Sequence, residues 1–82
     1  MMRSTTWNTP VTVDDPETGL HRTVTSARQA RTLLRGTWPR TRGSRYRDAE
    51  RACEAALEGL CPPQTARKAF IAAAIEAHLH LS

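Results

Sequence analysis

Apolar and polar positions follow two different periods along this chain. Near its start, "PVTVDD" and "GLHRTVTS" flank the segment "DPET". Val11 and Val13 alternate with Thr12, while Leu20 and Val24 share a face with Arg22. β-Branched residues at period two on both sides of a short turn predict an antiparallel hairpin. The turn carries its own chemistry: Asp15 can accept from the backbone just beyond it, Pro16 presets its φ, and Gly19 supplies a positive φ. A lone hairpin is marginal in water, so its apolar face needs a cover.

The period changes at Ser26. "SARQ" sets serine three positions before Gln29, the spacing of a capping box, and Ala27, Ala30, Leu33 and Leu34 follow as an apolar stripe. Gly36 ends this first helix, and Pro39 after Trp38 prevents it from resuming. A second helix is predicted to start after Ser44 and to run to Leu57 or Glu58. Tyr46, Ala49, Cys53, Ala56, Leu57 and Leu60 make its apolar face, and Gly59 ends it. "CPPQ" breaks the chain again, and Pro62 or Pro63 suits the first turn of a third helix. Its wide apolar face combines Phe70, Ala73, Ala74 and Ala77 with Ile71, Ile75 and Leu79.

The expected fold is therefore α+β: an N-terminal antiparallel β-hairpin followed by three α-helices packed on one face of it. Residues 1–6 read as a frayed terminus and 7–82 as one domain, which is all that 82 residues allow. Two strands make a poor sheet, and pairing across a homodimer would widen it. A chain this short also buries only about 60–65% of its unfolded surface, a further reason to expect self-association.

Charge alters the picture in one region. The net charge is +4, but Arg22 to Arg51 holds nine arginines against Asp48 and Glu50. The rest of the chain holds three basic residues and six acidic ones. Such asymmetry attracts anionic partners by long-range steering. Arg28, Arg31, Arg35, Arg40, Arg42, Arg45, Arg47 and Arg51 could form one patch for an anion or a nucleic acid. The competing reading is a solvated face, in which Arg47 pairs with Glu50, and Arg51 with Asp48 or Glu54. The aromatics are only Trp7, Trp38, Tyr46 and Phe70, and so small a set is expected in the core rather than stacked on bases. Trp38 is expected to lid the core or to anchor a partner. Trp7 is expected on the outer face of the hairpin or at a dimer contact.

Other constellations are weaker. Cys53 and Cys61 lie eight apart, about 12 Å on a helix, which is too far for a disulfide. They read as buried, reduced thiols of a cytoplasmic protein. Arg67 stands inside an apolar helix, where it must either find acceptors or reach along the helix to solvent. His78 and His80 point about 200° apart on a regular helix and are expected in a fraying last turn, so no metal is called for. His21 sits on a strand with no carboxylate at a motif spacing. Dispersed glycines leave no phosphate loop, and no nucleophile motif or signal peptide is present. The longest apolar run, "AFIAAAI", is too short to span a membrane.

Several dispersed positions carry a family resemblance. Pro10-Val11 opens the first strand, Ser26 precedes the first helix, and Trp38-Pro39 follows it. Cys53 stands in the second helix, with Ala66-Arg67 and Ala69-Phe70 in the third. In this order, over roughly residues 7 to 79, the chain resembles the small bacterial family catalogued as domain of unknown function 982. The resemblance implies a short α+β domain and supplies no activity, cofactor or catalytic residue. The expected role is a non-enzymatic, cofactor-free binding module that self-associates or takes a protein partner. The alternative is an accessory nucleic-acid binder using Arg28 to Arg51.

Overall fold

The hairpin begins one residue inside the segment expected to fray. In the computed structural model, which describes residues 6–15, 17, 19–39 and 42–81, strand β1 spans Thr6–Asp15 and strand β2 spans Leu20–Ser26. They pair antiparallel from Asp15↔Leu20 to Val11↔Val24, and Gly19 turns the chain at φ 74°. Asp15 accepts from the Glu17 N–H at 3.1 Å, the side-chain turn its position predicts. Between Val11 and Thr6 the register shifts, and the extra residues Trp7 to Pro10 bulge from the ladder. Pro10 has no N–H to donate, so a bulge is the place in this strand that tolerates it. Trp7, at the start of the bulge and of the same parity as Val11 and Val13, is buried in the core at 4% exposed. The Thr9 carbonyl within the bulge accepts from Arg67 Nε at 2.8 Å. Arg67 thus uses both routes open to it, a backbone acceptor and a partly solvated position.

Helix α1 (Ala27–Arg35) starts where the capping pattern places it, with the box displaced by one residue. Ser26 Oγ accepts from the Gln29 N–H at 3.2 Å. Gln29 Oε1 returns to Thr25, not to Ser26, and accepts from its N–H at 2.8 Å and its hydroxyl at 2.9 Å. Helix α2 spans Ser44–Leu57 and helix α3 spans Pro63–Glu76. Gly59 at φ 76° closes α2, and its N–H and that of Leu60 turn back to Ala56 and Ala55. Leu60 lies beyond that reversal and is exposed rather than part of the α2 stripe, and Ile75 is exposed as well.

The C-terminal end departs from the helical expectation. Helix α3 stops at Glu76, and His78 takes the left-handed conformation at φ 60°. That backbone is uncommon for a residue with a Cβ. The reversal seats Leu79 in the core and lays His80–Leu81 against β1 as strand β3. The sheet order is β2-β1-β3, so the third strand comes from the chain itself rather than from a second copy. Helix α1 packs on β2 and α3 on β1 and β3, while α2 packs across α1 and α3.

One core joins these layers. Val11, Val13 and Val24 from the sheet meet Ala30, Leu33 and Leu34 of α1, Tyr46, Ala49 and Cys53 of α2, and Ala66, Phe70, Ala73 and Ala74 of α3. All four aromatics belong to it. Phe70 lies at its centre, 5.7 Å from the Trp7 ring and 5.4 Å from the Trp38 ring. The Tyr46 hydroxyl donates to the Leu34 carbonyl at 2.7 Å, which fixes α2 to the end of α1. The two buried indole N–H groups have no acceptor among the described residues. Each costs about 1–3 kcal/mol, which the apolar packing must outweigh. Cys53 is fully buried, and loss of water pushes its thiol up to about 12 against the opposing pull of Arg31. Both cysteines are free, but only Cys53 is buried as expected, and Cys61 is half-buried beyond the end of α2.

A carboxylate from α3 caps α2. Glu76 accepts from the backbone N–H groups of Gly43 at 3.0 Å and of Arg45 and Tyr46 at 3.2 Å. Desolvation would raise its carboxyl, but the donors at Arg45, Tyr46 and Gly43 and the Arg45 charge outweigh it and hold the carboxyl below its usual range. A depressed carboxyl stabilises the fold above its unfolded value, near pH 4.3, and loses that contribution as pH falls through its folded value. Glu76→Gln is therefore expected to lower Tm at pH 7, with the gap to wild type narrowing at an acid pH below the usual carboxylate range. Thermal melts at both pH values check this, and a gap independent of pH would contradict it.

Candidate anion-binding cleft

The arginine-rich segment divides into three groups with different partners. On one flank of α1, Arg31 and Arg35 cross to α2. Arg31 Nη1 and Arg35 Nη2 both donate to Glu54 Oε1, and Arg35 Nε lies 3.8 Å from Glu50. Glu50 and Glu54 thus serve the neighbouring helix instead of Arg47 and Arg51 on their own. Partly solvated pairs of this kind contribute about 0.2–1 kcal/mol each, and they neutralise two of the arginines in the expected patch.

Arg42 forms the second group. Its guanidinium lies 5.1 Å from the Tyr46 ring centroid and donates to the Pro39 carbonyl at 3.3 Å and the Trp38 carbonyl at 3.2 Å. These contacts clamp the α1–α2 loop over the core. Trp38 beneath it is 4% exposed, so both tryptophans proposed as partner contacts are core residues. Arg40 lies outside the described residues.

The remaining arginines face solvent. Arg45, Arg47 and Arg51 are exposed on α2. Arg28, in the first turn of α1, meets Arg22 of β2 across a half-open cleft of about 380 Å³. Thr23 and Val24 of β2 and Gln29, Thr32, Leu33, Gly36 and Thr37 complete the lining. The floor is apolar, the rim is hydroxyl and amide, and the charges are two guanidinium groups with no acid among the lining residues. Neither guanidinium makes an ion pair with a described residue. The volume lies at the lower end of the range for small-ligand sites.

The seven described arginines of the expected patch thus divide by partner: Arg28 lines the cleft, Arg31 and Arg35 join an ion network, Arg42 clamps a loop, and Arg45, Arg47 and Arg51 are exposed on α2. Arg22 is the functional candidate that the patch left out. Its signal is the strand alternation, because a cation sharing a face with Leu20 and Val24 points inward at the sheet edge, beside whatever helix covers that face.

Elsewhere the chemistry is sparse. Across the outer face of the sheet, Asp14 stands opposite His21 on one side and His80 on the other, with His21 Nδ1 3.3 Å from Asp14. Among the described residues no group of three or more His, Cys, Asp or Glu is arranged to hold a metal ion. No helix among them is long and apolar enough to cross a membrane.

Similarity to known proteins extends over most of the chain. The model of a family described as "Protein of unknown function (DUF982)" matches residues 9–81. The NMR structure of the Agrobacterium tumefaciens protein Atu1219, a structural genomics target, is similar at 35% sequence identity and a TM-score of 0.73. The match covers 89% of this chain and 72% of that one. None of the curated proteins matches.

Proposed function

The chain belongs to the DUF982 family, small bacterial domains of unknown function, and on that premise we propose that it is a non-enzymatic module that binds an anionic partner between β2 and α1. The observation that carries this reading is the pair Arg22 and Arg28, facing one cleft without an acid to neutralise them. Guanidinium groups remain protonated and grip carboxylates or phosphates through paired N–H donors. Threonine hydroxyls with no neighbouring base are poor nucleophiles, so this lining suits holding an anion rather than transforming it. The Cys53 thiol, buried and pushed up to about 12, is no better placed to attack a substrate.

Two other readings draw on separate observations. Leu60 and Ile75, 75% and 61% exposed, would support self-association. Leu60 precedes α3 and Ile75 lies in its last turn, and isolated exposed apolar residues are ordinary. Arg45, Arg47 and Arg51 would serve a nucleic acid, but Glu50 and Glu54 lie on the same helix and Arg31 and Arg35 are already paired.

Arginine side-chain resonances provide the test. During titration with triglutamate at about 20 mM salt, the Arg22 and Arg28 Nε–Hε signals are expected to shift while those of Arg31 and Arg35 stay. Raising salt to about 200 mM should weaken the shifts. Equal movement of all arginines would reduce the cleft to general charge attraction.

A further inference from the structure

Arg22, Thr23 and Val24 all line the cleft, although successive strand side chains point to opposite faces. Consecutive residues can share one opening only if it lies against the backbone edge of the strand. Strand β2 is an outer strand of the sheet, so that edge has no neighbour among the described strands. Two side-chain pairs and one bond from Thr25 to Gln29 bear on which backbone groups face it. Thr12 and Thr23 stand opposite each other with their hydroxyls 3.0 Å apart, and Asp14 and His21 meet at 3.3 Å. Side chains lie closer in pairs that do not exchange backbone hydrogen bonds, and both contacts fit that class. The Thr25 N–H, of the same parity, turns away from β1 to Gln29. By alternation, Thr23 directs its N–H and C=O out of the sheet and into the cleft. The facing wall runs along α1 from Arg28 to Gly36, about 12 Å, or nearly four residues of extended chain.

We infer that the cleft receives an extended acidic segment of a protein partner, which adds a fourth strand beside β2 and sets its carboxylates on Arg22 and Arg28. This deepens the anion-binding reading and rests on it. Main-chain bonds to the Thr23 edge supply affinity, as in other cases of strand addition, and the helix flank and the two arginines supply selection. Charge decides between occupants. A second copy pairing its own β2 here would bring two Arg22 and two Arg28 to one seam, and like charges across strands repel. An acid-bearing strand neutralises the same groups.

The probe is the peptide acetyl-Ser-Glu-Val-Asp-Val-Glu-Ser-amide, titrated into the isotope-labelled protein at about 50 mM salt. The expected result is a shift of the His21, Thr23 and Arg28 amides, with slowed hydrogen exchange at Thr23. Thr23→Pro removes the outward N–H at an edge position that tolerates proline and should abolish these effects. Arg22→Glu with Arg28→Glu, which leaves the strand backbone untouched, should weaken the peptide about ten-fold or more. Inorganic phosphate serves as the control for a free anion. Peptide and phosphate shifting only the Arg22 and Arg28 side chains, with Thr23 exchange unchanged, would overturn strand addition and leave the anion cleft standing. Silence of both probes at both arginines would remove the cleft reading as well. A duplex DNA that perturbs the same residues more tightly than the peptide would overturn the choice of partner.

Discussion

Replacing Phe70 by alanine is expected to leave the domain largely unfolded at 37 °C. Phe70 is fully buried, and Trp7 and Trp38 both pack against its ring. It therefore joins the β1 bulge, the α1–α2 loop and α3 through one side chain. Truncating a buried phenylalanine costs about 3–5 kcal/mol. At roughly 0.05–0.15 kcal/mol per residue, a domain of this length has about 4–12 kcal/mol in total. The loss is thus a large fraction of the whole, equivalent to a fall in Tm of roughly 12–40 °C. Few neighbours can collapse into the space, because Ala66, Ala73 and Ala74 on the same helix face are small. Phe70→Leu keeps most of the volume and should remain folded, at a cost of about 1 kcal/mol. Thermal melts followed by near-ultraviolet circular dichroism measure both. A Phe70→Ala variant melting within a few degrees of wild type would contradict this description of the core.

Local patterns disclosed more of the fold than of the site, for a physical reason. The hairpin, the Ser26 cap and the helix breaks at Gly36, Gly59 and Pro62-Pro63 depend on residues within a few positions of one another, and such chemistry is legible in one dimension. The C-terminal reversal was harder to read. "HLHL" alternates with period two, but it follows an alanine-rich helix, and only the docking of Leu79 and the pairing with β1 decide for a strand. His78 then carries the positive φ that a glycine would take more easily. The arginines were the least legible. Helical spacing puts Arg28, Arg31 and Arg35 on one side of α1, and they do lie there. Their partners come from elements that the spacing does not place: Glu54 from α2 for two of them, and the β2 edge for the third. Glu76 is a parallel case, since no local motif links α3 to the start of α2 more than thirty residues earlier.

That division has a consequence for binding. If the cleft is the site, position matters and total charge does not. Reversing Arg22 and Arg28 to glutamate takes the formal net charge from +4 to zero, and reversing Arg47 and Arg51 does the same. Long-range steering is therefore weakened equally in the two variants. Only the first removes the groups that face the cleft, while the second strips the exposed face of α2 that a nucleic acid would need. All four side chains are exposed, so both variants should keep the wild-type circular dichroism spectrum and nearly its Tm.

The direct measurement is fluorescence anisotropy of a labelled hexaglutamate peptide with wild type and both variants at about 50 mM salt. The cleft account predicts a loss of about ten-fold or more for Arg22→Glu with Arg28→Glu, and a change within about three-fold for Arg47→Glu with Arg51→Glu. Equal losses in the two variants, or a larger loss in the second, would contradict it.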